Sequence, residues 1–316
     1  MQLGDDKVFS YIIKRLLTLI PIVIGLSILI FAFLYLIPGD VAVMIAGPSA
    51  PDEVVESIRN EMGLNRPLYI QYFDFITDFL TGDFGKSYQS GNLIINEIPQ
   101  VLIRTLQLAI TVQILSFILG GALGIISAIW RKTIWDRMIM AISVSGLSFP
   151  LFWSALIIQM IFCIYLGILP PSGYGVGFDK YIILPAITLM LPNSGMLARV
   201  TRSAIIDVMN FDYVRTARAK GLNNFWVVIK HIVRNALIPM ITMTGTNLSR
   251  MMGGVIMIEI IFTWPGMGKY VYDALLAKDL PALQTATMLI AILVILINLV
   301  VDLSYALLDP RIKYEE

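Results

Sequence analysis

The chain has 316 residues, of which 57% are hydrophobic and 14% are charged, and its mean hydropathy is +0.79. A soluble domain carries about 25% charged residues, so this composition excludes an ordinary soluble protein, because too little polar surface remains to cover its core. The net charge of +1 gives no indication of nucleic-acid binding, and a single cysteine and a single histidine exclude an internal disulfide and argue against a histidine-based metal site or catalytic triad.

The N-terminal region predicts a first membrane span. Lys14 and Arg15 precede the uncharged stretch Leu16–Ile37, which has 22 residues. Secretory signal sequences have apolar regions of roughly 7–15 residues, whereas a helix that crosses a bilayer needs about 20. We therefore expect this segment to be retained as a transmembrane helix.

Five further apolar stretches follow, and together with the first they predict an all-α integral membrane protein with six transmembrane helices. In the third of these six spans, the residues before Pro150 are expected to extend the helix at its cytoplasmic end. The five predicted spans are Thr105–Trp130, about 144–168, Tyr181–Ala198, Pro239–Phe262 and Leu280–Val301.

The distribution of Lys and Arg predicts the orientation. With the N-terminus inside, the inner segments carry fifteen Lys and Arg residues and the outer segments carry six. Loops on the cytoplasmic side carry an excess of positive charge. Both termini, the turn 131–137 and the loop 199–238 are therefore predicted to be cytoplasmic, in a multi-pass protein of the cytoplasmic (inner) membrane.

Four regions follow from this arrangement. The first, 1–37, holds the cytoplasmic N-terminus and the first span, and 38–100 is an extracytoplasmic lid with nine acidic and three basic residues. A lid of this size suggests contact with an extracytoplasmic partner, although a plain connector is the alternative. The core transmembrane domain is 101–308, and 309–316 is a cytoplasmic tail.

The loop 199–238 is the most informative segment. We expect Asn210 to cap a short helix that Gly221 ends with a positive φ angle, and a second helix to begin at Asn223 or Asn224. Pro239 is then expected at the entry to the fifth span. Two cationic helices with a glycine corner suit a lever that docks into a neighbouring cytoplasmic protein, whereas a basic loop on anionic lipid is the alternative reading.

Here the chain resembles a known family. Residues 213–221 (YVRTARAKG) and 231–239 (HIVRNALIP) resemble the EAA coupling loop of ABC importer permeases, in the form of the dipeptide, oligopeptide and nickel branch. Ala217 and Gly221 match the general pattern, whereas Arg215 replaces its Glu and Thr216 its first Ala. Both departures are similar to the peptide-importer branch.

Other stretches carry the same resemblance in the same order along nearly the whole chain. They are the PGD of 38–40, 63–72 (GLNRPLYIQY), 82–87 (GDFGKS), 259–268 (EIIFTWPGMG) and the DPR of 309–311.

The resemblance implies a type I ABC importer architecture and the partners that this architecture needs. They are a second homologous permease subunit, two cytoplasmic ABC ATPase subunits and an extracytoplasmic solute-binding protein, all assembled around the lipid bilayer. The chain would be no enzyme and would bind no cofactor, because ATP and magnesium would belong to the ATPases. The segment expected to enter an ATPase cleft consists of Tyr213, Arg215, Thr216, Ala217, Arg218, Ala219, Lys220 and Gly221.

Two ionisable residues within the fifth span are candidates for the transport pathway or for an ion pair with other groups. Arg250 and Glu259 are nine residues apart, so they fall on roughly opposite helix faces and are not expected to pair with each other. Trp264, Pro265 and Gly266 are predicted to form an interfacial anchor and turn, with an outer gate as the second interpretation.

The sequence leaves the transported solute open. Import of di- or oligopeptides is the first hypothesis, and a nickel chelate, glutathione or another small solute is the alternative within the same architecture. A self-contained channel or secondary transporter is a third class, but no inverted repeat and no series of intramembrane carboxylates supports it.

Overall fold

The computed structural model describes residues 5–35, 41–47, 49–175, 177 and 179–308. In this part of the chain the regular structure is helical, apart from one isolated bridge between Lys86 and Leu93. The helices are α1 Asp5–Tyr35, α2 Val41–Ala46, α3 Asp52–Glu61, α4 Leu68–Thr81, α5 Ile94–Ile129, α6 Ile134–Ser148, α7 Leu151–Gln159, α8 Ile183–Met209, α9 Asp212–Ala219, α10 Asn224–Trp226, α11 Arg234–Ile261, α12 Met267–Ala277 and α13 Leu280–Leu308, and a π-helical segment, Met160–Tyr165, continues α7.

Four of the described helical segments are long and apolar enough to cross a membrane: Ile94–Ile129, Lys180–Met209, Val227–Leu248 and Leu280–Val301. The bent pair Ile134–Ser148 and Leu151–Tyr165 makes a fifth span if it is counted as one. The shorter apolar segment Leu17–Phe33 of α1 lies where the first span was predicted. An all-helical membrane fold is therefore confirmed, with four to five apolar spans that meet the length requirement.

The third predicted span differs from its prediction. The residues before Pro150 do not extend the crossing helix, because α6 and α7 are bent by 105° at this proline. Phe149 adopts extended backbone angles of φ −93° and ψ 138°. A proline disfavours the helical region for the residue before it and lacks the N–H that would continue the helix. The break is therefore local in origin.

The entry to the fifth span also differs. Pro239 was expected at its start, but it lies inside α11, which begins at Arg234. A π-helical segment, Val227–Val233, joins α10 to α11 without an interruption. Membrane helices tolerate an internal proline where local 3₁₀ or π adjustments and neighbouring groups satisfy the freed carbonyls.

The chain divides into two compact units. The first contains Met1–Ile103 and Gly266–Leu296. Its apolar core joins the beginning of α5 to α12 and to the beginning of α13, through Ile94, Ile98, Met267, Ala274, Ala282, Leu283 and Ala286.

The second unit contains Arg104–Pro265 and Ile297–Glu316, and α8 is its most buried helix. Gly120 and Gly124 of α5 lie against the α8 backbone, because a Cβ atom at either position would stand 2.6 Å from a carbonyl oxygen, that of Ser194 or of Ala198. Small residues four apart allow two membrane helices to approach this closely. This packing holds α8 in place, and α8 leads directly into α9.

Candidate functional site

The predicted lever is a separate short helix with a glycine corner. Helix α9 runs from Asp212 to Ala219, and Gly221 follows it with φ +75°. Asn210 does not cap α9 as expected: it ends α8, and Phe211 precedes α9 in an extended conformation. The side chain of Asn223 accepts a hydrogen bond from the Phe225 N–H, so the second helix begins where it was predicted.

The inner face of α9 packs against a cluster of buried apolar residues, which we call the seat of α9. Val214 and Ala217 are buried in one cluster with residues of α5, α8, α11 and the π-helical segment. Ala217 was expected to enter an ATPase cleft with the rest of its segment, but its side chain points into this cluster. The other members of the cluster are Ala128, Ile205, Val208, Val227, Val228, Ile232 and Ala236.

The outer face of α9 is polar and carries positive charge. Arg215 has 81% of its side chain exposed and lies 3.8 Å from the carboxylate of Asp212, which is too long for a strong pairing. Thr216, Arg218, Ala219, Lys220 and Gly221 are exposed as well. The seat therefore immobilises the backbone of α9, while three cationic side chains remain free to meet another molecule.

Four aromatic residues flank this cationic face, and of these only Tyr213 belonged to the predicted coupling segment. The rings of Phe211 and Tyr213 lie 5.8 Å apart before and within α9, and those of Phe225 and Trp226 lie 5.8 Å apart in α10. All four side chains are exposed. Aromatic residues and arginines are the residue types that protein interfaces favour at their centres.

A buried ion pair close to the turn 131–137 was also missed. The guanidinium group of Arg202 donates two hydrogen bonds of 2.7 Å to the two carboxylate oxygens of Asp136. The same carboxylate accepts bonds from the Ser127 hydroxyl at 2.5 Å and from the Lys132 N–H at 3.0 Å. Four donors on one buried carboxylate tie α8 to the α5–α6 turn.

The two ionisable residues of the fifth span lie in different environments. Glu259 is fully buried, and its carboxylate accepts a 2.5 Å hydrogen bond from the Thr105 hydroxyl of α5. Arg250 is exposed on α11. Glu259 therefore takes part in the packing of α11 against α5, whereas the Arg250 guanidinium is accessible from outside the chain.

Trp264 follows the end of α11 and is 1% exposed, so it lies inside the protein and not at a lipid interface, where an interfacial anchor was expected. Its indole N–H donates a 3.0 Å hydrogen bond to the Arg104 carbonyl of α5. The Tyr174 ring meets the indole edge-on at 4.9 Å, and the Arg104 guanidinium lies 4.5 Å from the centre of that tyrosine ring. Pro265 follows directly, and Gly266 precedes α12.

The first unit contains a polar cavity of about 400 Å³ between the end of the predicted lid and the beginnings of α5, α12 and α13. Its carboxylates already accept protein donors: Ser87 and the Gln89 N–H bind Asp279, and Tyr270 binds Glu97. The polar groups of the cavity wall are therefore already hydrogen-bonded to one another.

Two family models match the chain and between them cover most of it. Residues 120–314 match the binding-protein-dependent transport system inner membrane component, and residues 8–109 match the N-terminal part of such membrane components. The chain belongs to this family, which comprises permease subunits of ABC importers. It is therefore a multi-pass inner-membrane transport subunit and not an enzyme.

Curated relatives match over almost the full length. The glutathione transport system permease protein GsiC of Escherichia coli K12 is 43% identical over 97% of this chain and 99% of its own length. The GsiC protein of Salmonella typhimurium LT2 is 42% identical over the same shares.

Among solved structures, the inward-facing MetNI methionine ABC transporter is similar in fold. The match has a TM-score of 0.57 and 18% identity, and it covers 67% of this chain and 96% of the other.

Two of the motifs that carried the resemblance, 38–40 and 309–311, lie outside the described residues.

Proposed function

We propose that this chain imports small peptides as one membrane subunit of an ATP-driven transporter, and that α9 is the element by which a cytoplasmic ATPase moves it. The observation that carries the proposal is the two-sided structure of α9. A buried apolar face fixes the helix to α5, α8 and α11, while Arg215, Arg218 and Lys220 are exposed. A rigid, cationic projection of this kind transmits a movement instead of absorbing it.

The proposed assembly contains a second permease subunit, two ATPases that bind ATP and magnesium, and an extracytoplasmic binding protein. Both termini and α9 lie in the cytoplasm, in agreement with the positive-inside rule. Closure of the ATPase pair on ATP pushes on α9, and the apolar seat passes the displacement to α8 and α11. The spans then alternate between two states with opposite access.

Two indications support the proposed cargo. The motifs resemble the peptide branch, and the relatives that are 42–43% identical are glutathione permeases by name. Glutathione is itself a tripeptide, so both indications point to short peptides with free carboxylates. A nickel chelate or another small solute is the alternative cargo.

Arg250 is the proposed contact for an anionic group of the cargo. A cation within a membrane helix faces a watery cavity or a partner and not the lipid chains, and the Arg250 side chain is exposed on α11. An acidic residue of the second permease subunit is the competing partner. In reconstituted importers, Arg250→Met raises KM for an anionic peptide with little change in the amount of assembled complex. A loss of assembly would instead assign Arg250 to the subunit contact.

The coupling proposal is tested by charge reversal on α9. The tagged chain is purified in mild detergent with the ATPase that accompanies it, and the variant Arg215→Glu/Arg218→Glu is compared with Arg59→Glu/Arg66→Glu in the first unit. We expect the α9 variant to lose the ATPase and ATP-dependent uptake, because the reversed charges repel an acidic cleft. If the α9 variant still bound the ATPase and still showed ATP-dependent uptake, the coupling role would be overturned and a loop that lies on lipid would be favoured.

The cargo proposal is tested by uptake into proteoliposomes that contain the co-purified assembly and its binding protein. Labelled glutathione, a dipeptide and nickel are offered with and without ATP inside. ATP-dependent uptake of a peptide supports the proposal. Uptake of nickel without uptake of either peptide would identify nickel as the cargo instead. Solute movement by the chain alone, without ATP, would identify a self-contained transporter.

A further inference from the structure

Helix α4, in the middle of the predicted lid, is far more apolar than a helix in water should be. Eleven of its fourteen residues are Leu, Ile, Phe, Tyr or Thr, yet none of its residues is buried by the protein. A water-exposed helix usually hides its apolar stripe against a core. Something outside the first unit must therefore cover part of α4.

The side chains of α4 fall into three sectors, since successive residues are rotated by about 100°. The first sector faces the protein. The Tyr72 ring meets Phe31 of α1 edge-on at 5.6 Å, and Phe79 lies 6.2 Å from Phe75 and 5.4 Å from Phe84. This aromatic sector attaches α4 to α1 and to the loop that follows α4.

The second sector is apolar and exposed, and the third is polar and exposed. Tyr69, Phe73 and Leu80 are 65%, 65% and 79% exposed and fall within about 40° of one another around the helix. Asp74 and Asp78 lie on the adjoining side and are exposed as well. An apolar and a charged strip side by side are the pattern of a helix that lies in a membrane interface.

The contact with α1 positions α4 beside the first predicted span. The Tyr72 hydroxyl forms a 2.8 Å hydrogen bond with the Ser27 hydroxyl, and Ser27 is 1% exposed. Ser27 lies within the apolar segment Leu17–Phe33 of α1. The hydrogen bond therefore holds α4 against a helix of the predicted membrane region.

Exposed apolar residues of α1 lie next to the residue that binds Tyr72. Ile24 and Ile28 are within one helical turn of Ser27 and are exposed on the segment Leu17–Phe33. In a membrane protein such a surface faces lipid chains. The helix to which α4 is attached therefore offers a lipid-facing surface close to their contact.

We propose that α4 is an interfacial helix of the bilayer, with Tyr69, Phe73 and Leu80 in contact with lipid chains and Asp74 and Asp78 directed to water. The lid is thereby anchored to the membrane beside α1, and only the part around α3 stands in water. The helix α3 fits this division, since its sequence DEVVESIRNE is mostly polar.

The test measures the environment of single spin labels in the full chain. In a Cys163→Ala background, cysteines are placed at Tyr69, Phe73 or Leu80 and, as the matched control, at Val54, an exposed apolar residue of α3. The chain is reconstituted into phosphatidylcholine nanodiscs, alone and in the assembled importer. Collisions with oxygen, which partitions into lipid, are compared with collisions with a water-soluble nickel chelate.

Labels at the α4 positions are expected to collide several-fold more with oxygen than with the chelate, while the label at Val54 shows the reverse. Equal behaviour of α4 and Val54 would place α4 in water and overturn the proposal. Exclusion of both reagents from α4 would show that protein covers it, a second copy if seen in the chain alone and another subunit if seen only in the assembly. Three α4 positions keep the test decisive if one variant does not fold.

Discussion

Helices α9 and α4 show opposite relations between composition and burial. Helix α9 has eight residues, mostly polar, yet Val214 and Ala217 are buried in a cluster that involves four other helical segments. Helix α4 has fourteen mostly apolar residues and no buried one. Average hydrophobicity therefore does not predict which helix is held by protein contacts, because burial depends on whether a second element lies opposite the apolar face.

The difference has a functional consequence. A short polar helix with one buried apolar face is rigid, as the proposed coupling role requires, whereas an apolar helix with few protein contacts leaves an apolar strip that the proposed lipid contact would cover. Variants that remove the seat of α9, or that weaken the few contacts of α4, test this contrast directly.

The largest effect is expected from Val214→Asp, which breaks the seat of α9. An unpaired carboxylate in an apolar cluster costs about 4 kcal/mol or leads to local unfolding. We expect a lower melting temperature of the detergent-solubilised chain and rapid proteolysis at 212–221. The control Thr216→Asp, on the outer face of the same helix, leaves both unchanged, and equal sensitivity of the two variants would show that α9 is not seated.

The next effect concerns the ion pair that holds α8, the helix that carries α9. Arg202→Met leaves the Asp136 carboxylate buried without its bidentate partner, at a cost of about 3 kcal/mol. Arg66→Met removes the exposed pair with Asp74 at 3.1 Å and costs at most about 1 kcal/mol. Thermal unfolding of both variants checks the prediction, and a similar loss in the two would contradict the strength assigned to the buried pair.

Gly124→Ala and Gly253→Ala are predicted to act in opposite directions. A Cβ at Gly124 would stand 2.5 Å from the Thr201 Cβ and 2.6 Å from the Ala198 carbonyl, so α5 and α8 must separate, at a cost of about 1–3 kcal/mol. At Gly253 nothing lies within 4 Å, and alanine stabilises the helix by up to about 1 kcal/mol. Melting temperatures that move in the same direction would argue against the close α5–α8 contact.

The smallest effect is expected at α4. Tyr72→Phe removes the hydrogen bond to Ser27 and keeps the ring, so the loss is about 1 kcal/mol. Protease sensitivity at 64–84 should rise slightly, whereas Tyr69→Phe, on the exposed apolar sector, has no effect. A strong response at Tyr69 would mean that protein and not lipid lies against this sector.

Much of the fold was predictable, because each membrane span is a local property of about 20 residues. The predictions 181–198 and 280–301 fall within spans that the structure contains, and 105–130 does so except for its last residue. The positive φ angle at Gly221 and the start of the second helix at Asn223 were equally local, since each depends on one residue type in a turn. The EAA-like residues identified the permease family before any geometry was known.

The structural environment of the site residues was not predictable in the same way. Trp264 was expected at a lipid interface because tryptophan favours that position, but α5 offers it a carbonyl and Tyr174 covers its ring. Ala217 was expected to contact a partner because the resemblance places it in the coupling segment, although the direction of its side chain depends on the register of α9. Asp136 and Arg202 are 66 residues apart, and only the packing of α6 on α8 makes them partners.

The sequence by itself determined that the chain is a helical membrane protein, where its spans lie and which family it belongs to, because hydrophobicity, charge and short motifs act over a few residues. Only the tertiary structure decided that α9 has a buried and an exposed face and that no residue of α4 is buried. These properties depend on which helix faces meet, and the same apolar residue is buried by protein or left to lipid according to its neighbour.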